Sequence, residues 1–235
     1  MANIHQLLAP AKCILFDFDG PVCQLFPGPD AVLVAVRLRR WLLETDHIDL
    51  LTQQLRTSHD AYAILDHLAR TARDKGVMEK RVVTAAERFL EEEEIEAVRG
   101  ARDTRDAAEL IKTLAGKDRK LAVTTNNSPT AVHEYLTSRG LRDYFDAGIH
   151  GRTPAADSLK PNPFCVQQAL KTAGVPPKEA LLIGDTTKDF RAADSAGVPF
   201  LGFATGPEGA AKLQSVGTQT MTSSLSPVLQ AAREM

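Results

Sequence analysis

Cysteine is scarce in this 235-residue chain. The three present, Cys13, Cys23 and Cys165, form no CxxC pair and show no metal-ligand spacing. An odd, scattered set gives no disulfide framework and fits a reducing compartment. Long apolar runs are missing too: none approaches the roughly 18 residues that cross a bilayer. The opening stretch MANIHQLLAPAK is too short and too weakly apolar for a secretory signal. Net charge is only −2, and no stripe of Lys and Arg is interleaved with aromatics. That argues against a nucleic-acid polymer as partner and leaves a single nucleotide possible as a small substrate. There is no internal repeat and no low-complexity tail. The expectation is a cytoplasmic protein with no membrane contact. No feature signals an oligomer, which leaves a monomer as the default.

Several short runs are apolar throughout: Lys12 to Phe18, Lys120 to Thr125 and Ala180 to Gly184, with weaker ones at Ala147 to His150 and Val198 to Phe203. Runs of that length read as strands buried on both faces, as in a parallel sheet. Helical stripes separate them at Asp106 to Leu114, Pro129 to Arg139, Pro163 to Ala173 and Lys188 to Ala196. The alternation predicts an α/β fold with a doubly wound, Rossmann-like parallel sheet. The stretch between the first two strong strands is too long for one crossover and reads as helices only, from about Asp30 to Val98. It predicts an all-helical cap over 27–98, inserted into a core of 1–26 and 99–235. Pro27-Gly28-Pro29 and Arg99 to Arg102 would serve as hinges. Within the insert, Glu91 to Glu94 point in four directions on a helix, so they cannot converge on one metal and read as a solvated face. Trp41, set among leucines, reads as core of the insert.

In doubly wound sheets ligands bind outside the carboxyl ends of the strands. The first strand delivers Asp17, Asp19 and Gly20 there, the second Thr124, Thr125 and Asn126, and the third Gly184 to Asp189. A loop before the third brings Lys160. Each residue type has a task in phosphoryl transfer. A carboxylate can be the nucleophile, dividing one hard displacement into two easier ones. A hard cation must bridge it to a phosphate dianion, and Mg²⁺ suits carboxylates such as Asp17 and Asp185. Lysine neutralises charge. A threonine hydroxyl and backbone amides hold equatorial oxygens. Asp19 lies where it could protonate the leaving oxygen and then activate water.

Four segments in order, ILFDFDG, LAVTTN, the lysine of LKPNP, and LLIGDTTKDF followed by AADSAG, resemble the haloacid dehalogenase-like hydrolase superfamily. The chain looks like a member of its phosphatase branch, phosphoglycolate phosphatase-like, with a helical cap after the first strand. The resemblance covers essentially the whole chain. It implies Asp17 as nucleophile and Asp19 as acid and base, with the Asp19 main-chain carbonyl also offered to Mg²⁺. Thr125 and Lys160 would bind the phosphate of a small phosphorylated metabolite, as would the amides of Phe18 and Asp19, and Lys160 would also balance charge. Asp185 would bind Mg²⁺, and Asp189 would support that site. Asn126 stands between substrate contact and turn former. The dehalogenase branch lacks the second aspartate, so Asp19 points to an oxygen leaving group and phosphate ester hydrolysis.

Some positions admit plainer roles. Asp185 has good chemistry for capping the following helix, and Asp189 could simply cap or pair. Pro21, Cys23 and Gln24 stand where the family more often has Thr or Val and an acid–serine pair. Chemistry is expected to survive there while entrance geometry or substrate choice shifts. Cys23 reads as a small buried residue, and His150 and Arg152 are candidate substrate contacts. Two alternatives remain open: a phosphomutase, and a catalytically idle binding protein, although no expected catalytic residue is missing. A phosphonate hydrolase would need a Schiff-base lysine. Lys75 and Lys80 are the only lysines of the insert, and neither sits in an apolar setting.

Overall fold

The computed structural model describes residues 3–28, 30–73, 76–153 and 158–235. Pro29 and Lys75, named above, lie outside the described residues. The strands are β1 (Cys13–Phe16), β2 (Cys23–Gln24), β3 (Arg102–Asp103), β4 (Lys120–Thr124), β5 (Ile149–His150), β6 (Ala180–Gly184), β7 (Phe200–Phe203) and β8 (Met221–Thr222). The α-helices are α1 (Ile4–Leu8), α2 (Asp30–Glu44), α3 (Ala61–Arg73), α4 (Val77–Val98), α5 (Ala107–Ala115), α6 (Pro129–Ser138), α7 (Phe164–Ala173), α8 (Thr187–Ala196), α9 (Pro207–Ser215) and α10 (Ser226–Arg233).

One parallel sheet runs in the order β5-β4-β1-β6-β7-β8. Side chains of its central strand alternate between two helical layers, as the period of two requires. Ile14 and Phe16 pack with Leu110, Val132 and Leu229 of α5, α6 and α10. Cys13 and Leu15 pack with Val166, Ala169 and Ala192 of α7 and α8. This is the doubly wound α/β fold expected. From β1 the chain builds outward through β4 and β5, then crosses back to β6 and builds the other way. The switch point therefore lies between β1 and β6, where Phe16 is level with Ile183.

Several strand ends shift by one or two residues from expectation, and two of these shifts have a clear cause. β1 stops at Phe16 because the chain soon turns through Gly20 (φ 133°), whose amide donates to the Cys23 carbonyl. β7 starts at Phe200 because Gly197 closes α8 in the left-handed conformation and Pro199 has no N–H for the ladder.

Helices α2, α3 and α4 surround their own apolar cluster, with Leu38, Leu42, Ile64, Leu65, Ala86 and Leu90 at its centre. Trp41 packs against Phe89 at its edge, with ring centroids 5.9 Å apart. How the chain enters and leaves this helical unit is not evident from the sequence. The two crossings pair as a short antiparallel ribbon, Cys23 opposite Asp103 and Gln24 opposite Arg102. Strands of two residues carry no periodicity to read. Among the described residues no helix is long and apolar enough to cross a membrane.

Candidate functional site

Asp17 follows β1 directly, and its amide still donates to the Ile183 carbonyl of β6 at 2.9 Å. That bond fixes its carboxylate at the switch point. One carboxylate oxygen accepts from the Phe18 amide and from Lys160 Nζ, both at 2.8 Å. Lys160 Nζ also donates to the Thr124 carbonyl at 2.9 Å and to Asp189. All three ammonium protons are thereby used. Asn126 holds Lys160 in place: its Oδ1 accepts from the Lys160 amide (2.7 Å) and its Nδ2 donates to the Lys160 carbonyl (3.2 Å). The choice between substrate contact and turn former thus gains a third answer, a clip between two loops.

Asp189 is fully engaged. One oxygen receives Lys160; the other accepts from the Thr186 amide and hydroxyl, at 2.9 and 2.6 Å, in the capping box that starts α8. Asp185 differs. Its Oδ1 is buried and has no hydrogen-bond partner. Ligand atoms of Asp17, Asp185 and Asp189 lie within 4.8 Å of one another. Gly20 leaves room for this group: a Cβ there would stand 2.6 Å from the Asp185 carboxyl carbon. Asp19 faces a neighbouring cleft of about 530 Å³ that Asp185 and Thr186 also line. Its carboxylate accepts from the Leu25 amide at 2.9 Å.

Crowded carboxylates with one lysine shift their titration. Burial, then Asp189, raises Asp17 to about 7 against the opposing pull of Lys160. Burial raises Asp19 to about 6, opposed by the Leu25 amide. Burial, then Asp17 and Asp189, pushes Asp185 well above the carboxylate range. Burial works against the Lys160 ammonium, but Asp17 and Asp189 outweigh it and raise its pKa. An unpaired buried oxygen, a glycine cradle and excess negative charge fit a hard divalent cation.

A family model described as haloacid dehalogenase-like hydrolase matches residues 14–203. The chain belongs to this family. Among curated relatives, the phosphoglycolate phosphatase of Rhodospirillum rubrum is 28% identical over 193 residues, covering 80% of this chain and 77% of that one. Two solved structures share the fold. A haloacid dehalogenase-like family hydrolase from Streptococcus pneumoniae superposes with a TM-score of 0.62 at 20% identity, covering 95% of this chain and 99% of that one. CbbY from Rhodobacter sphaeroides, in complex with xylulose-(1,5)bisphosphate, gives 0.64 at 20% identity, covering 91% and 94%.

In this haloacid dehalogenase-like hydrolase two of the expected phosphate contacts are already occupied. The Phe18 amide serves Asp17. Thr125 is buried, and its hydroxyl donates to Asn127 Oδ1 at 2.7 Å. Asn127, which the sequence reading passed over, leads to the feature that reading got wrong. Glu94 is not on a solvated face; it is 1% exposed. Arg152 Nη1 donates to both its oxygens at 2.7 and 2.8 Å, while Arg152 Nε donates to Glu87 at 2.6 Å. Glu94 also accepts from the Tyr62 hydroxyl (2.7 Å), Asn127 Nδ2 (3.2 Å) and the Ser128 amide (2.8 Å), and Glu91 accepts from the Ser128 hydroxyl. Arg152 is therefore committed to α4 rather than free for substrate, and His150 Nε2 is spent on the Ala147 carbonyl. The register held a clue: Ala86, Leu90, Glu94 and Val98 recur every four residues, so Glu94 sits in the buried stripe.

Proposed function

We propose that this chain hydrolyses a small phosphate monoester with Mg²⁺, through a phosphoryl group carried on Asp17. The observation that carries the reading is the pairing of Asp17, held by Lys160, with Asp185, whose buried oxygen lacks a partner. One Asp17 oxygen would attack phosphorus while the P–O bond to the alcohol breaks. Asp19, near neutral in pKa, would give its proton to the departing oxygen. It would then take a proton from water as that water attacks the aspartyl-phosphate, releasing phosphate and restoring Asp17. Asp17, Asp185 and the Asp19 carbonyl would hold Mg²⁺ with Asp189 behind them; bound there, the ion supplies charge neutralisation at the phosphate oxygens. The helical unit over 27–98 would act as the cap that admits substrate and excludes water. A Schiff-base route has no support from Lys80, which is exposed.

A panel of phosphate esters, including phosphoglycolate, sugar phosphates and nucleotides, tests this reading. Phosphate release is expected with Mg²⁺ and is lost in EDTA. Turnover that survives EDTA, or no turnover of any ester, would overturn it.

The shifted carboxylates also predict how stability depends on pH. Asp17, Asp19 and Asp185 bind protons more tightly folded than unfolded, so between roughly pH 4 and 7 the folded state holds more protons. Metal-free stability therefore falls as pH rises through that window. Mg²⁺ at about 100 times its Kd adds about 2.7 kcal/mol, or roughly 5–10 °C in Tm for a chain of this size. Thermal melts should show that gain at pH 7.5 and little of it at pH 5. Equal gains at both values would show that these acids do not hold the ion.

A further inference from the structure

A second cavity, of about 250 Å³, lies beside the cleft that contains Asp19, and Phe26 lines both. Its walls come from the helical unit and from the first turn of α8. Ala31, Val34 and Leu90 make it largely apolar. Tyr62 and Glu94 also face it, but both belong to the buried network around Arg152. What remains polar is His59, Asp60 and Lys188. Lys188 stands three residues past Asp185, and its ammonium donates to Asp60 Oδ2 at 2.7 Å across the gap between helical unit and core. The other Asp60 oxygen accepts from the Ala63 amide at 3.0 Å and so caps α3.

We propose that Lys188 anchors an acidic group on the leaving side of the substrate, a carboxylate or a second phosphate, and that Asp60 occupies this position until substrate displaces it. The proposal rests on the phosphatase reading above and names the class of ester. Three considerations lead to it. Lys160 has no proton left for a second anion, whereas Lys188 has protons beyond the one given to Asp60. The Lys188–Asp60 pair is half solvated, with side chains 39% and 41% exposed, so it contributes little to stability and exchanges readily for an equivalent partner. The apolar walls lower the local dielectric and strengthen a charge contact that closes over them. The cavity also limits the size of the leaving group. At about 250 Å³ it falls below the roughly 300–1,000 Å³ of clefts that hold drug-sized ligands. A short acidic alcohol fits a space of that size.

The test measures binding in the inert Asp17→Asn background with Mg²⁺, by calorimetry, alongside turnover in the parent chain. The probes are 2-phosphoglycolate for the carboxylate arm, the bisphosphate of a short diol for the phosphate arm, and ethyl phosphate as the neutral reference. Acidic esters are expected to bind at least tenfold more tightly than ethyl phosphate. Whichever arm keeps that preference identifies the acid. Lys188→Met should erase the preference, and Lys188→Arg should retain it. Asp60→Asn keeps the α3 cap but removes the competing charge, and should raise the preference several-fold. A preference unchanged in Lys188→Met, or lowered by Asp60→Asn, overturns the proposal even if the parent turns over esters freely. Failure of the parent to hydrolyse any ester counts instead against the phosphatase reading.

Discussion

Asp17→Asn is expected to lower ester turnover by about 10⁴-fold or more, the scale on which enzymes lose activity when their nucleophile is removed. The substitution is nearly isosteric, but an amide cannot attack phosphorus or carry the phosphoryl group. Misfolding would not be the cause, and the direction of the Asp17 pKa shift shows why. Burial and Asp189 make the charged carboxylate costly in the folded state, so a neutral isostere should leave Tm unchanged or raise it. Lys160 keeps Asp189 and the Thr124 carbonyl as partners. Asp19→Asn gives the complementary result: a loss of about 10²–10⁴-fold, with phosphoryl-enzyme accumulating because water is no longer activated. Intact mass after a brief pulse of substrate would detect it. Undiminished turnover in Asp17→Asn would end the aspartyl-phosphate mechanism.

Arg152→Met should cause the largest loss of stability. Glu94 would be left buried with no cation, and Glu87 would lose its pairing as well. Breaking a buried ion pair from one side costs about 3–5 kcal/mol, a large part of the 5–15 kcal/mol that holds a typical domain folded. A fall of roughly 10 °C in Tm is expected. Adding Glu94→Gln should restore part of it, because the stranded charge is then gone. Additive losses in the double variant would show that the two residues do not act as a pair.

The candidate site was legible in the sequence where a strict local pattern and a fixed topology met. An all-apolar β1 ending in Asp17 needs only the rule that ligands sit at strand carboxyl ends. The same holds for β6 and Asp185, and adjacency across the switch point follows from the fold. Lys160 was placed at the same edge by its loop before the third strand, and the family motif gave it its role. The network around Glu94 was not legible because its members come from α3, α4 and the loops after β4 and β5, and no single window contains Arg152 together with an acid it pairs with. Averaging Glu91 to Glu94 as a run hid the one acid in register with Leu90 and Val98. Asn127 looked like a loop residue because its value lies in joining Thr125 to Glu94. The pairing of Lys188 with Asp60 spans 128 residues and is equally invisible to local reading.

The two chain crossings between the helical unit and the core are zipped together as the β2–β3 ribbon. Two separate tethers would let that unit slide, tilt and twist; a paired ribbon leaves it a single axle. Asp19 is fastened to the ribbon, through its bridge to Cys23 and its bond from the Leu25 amide, whereas Asp17 is fastened to β6. If the helices swing about that axle, as the proposed cap would, the motion tugs on Asp19, the proposed proton donor, and leaves Asp17, the proposed nucleophile, still, so it would be felt first in acid–base timing.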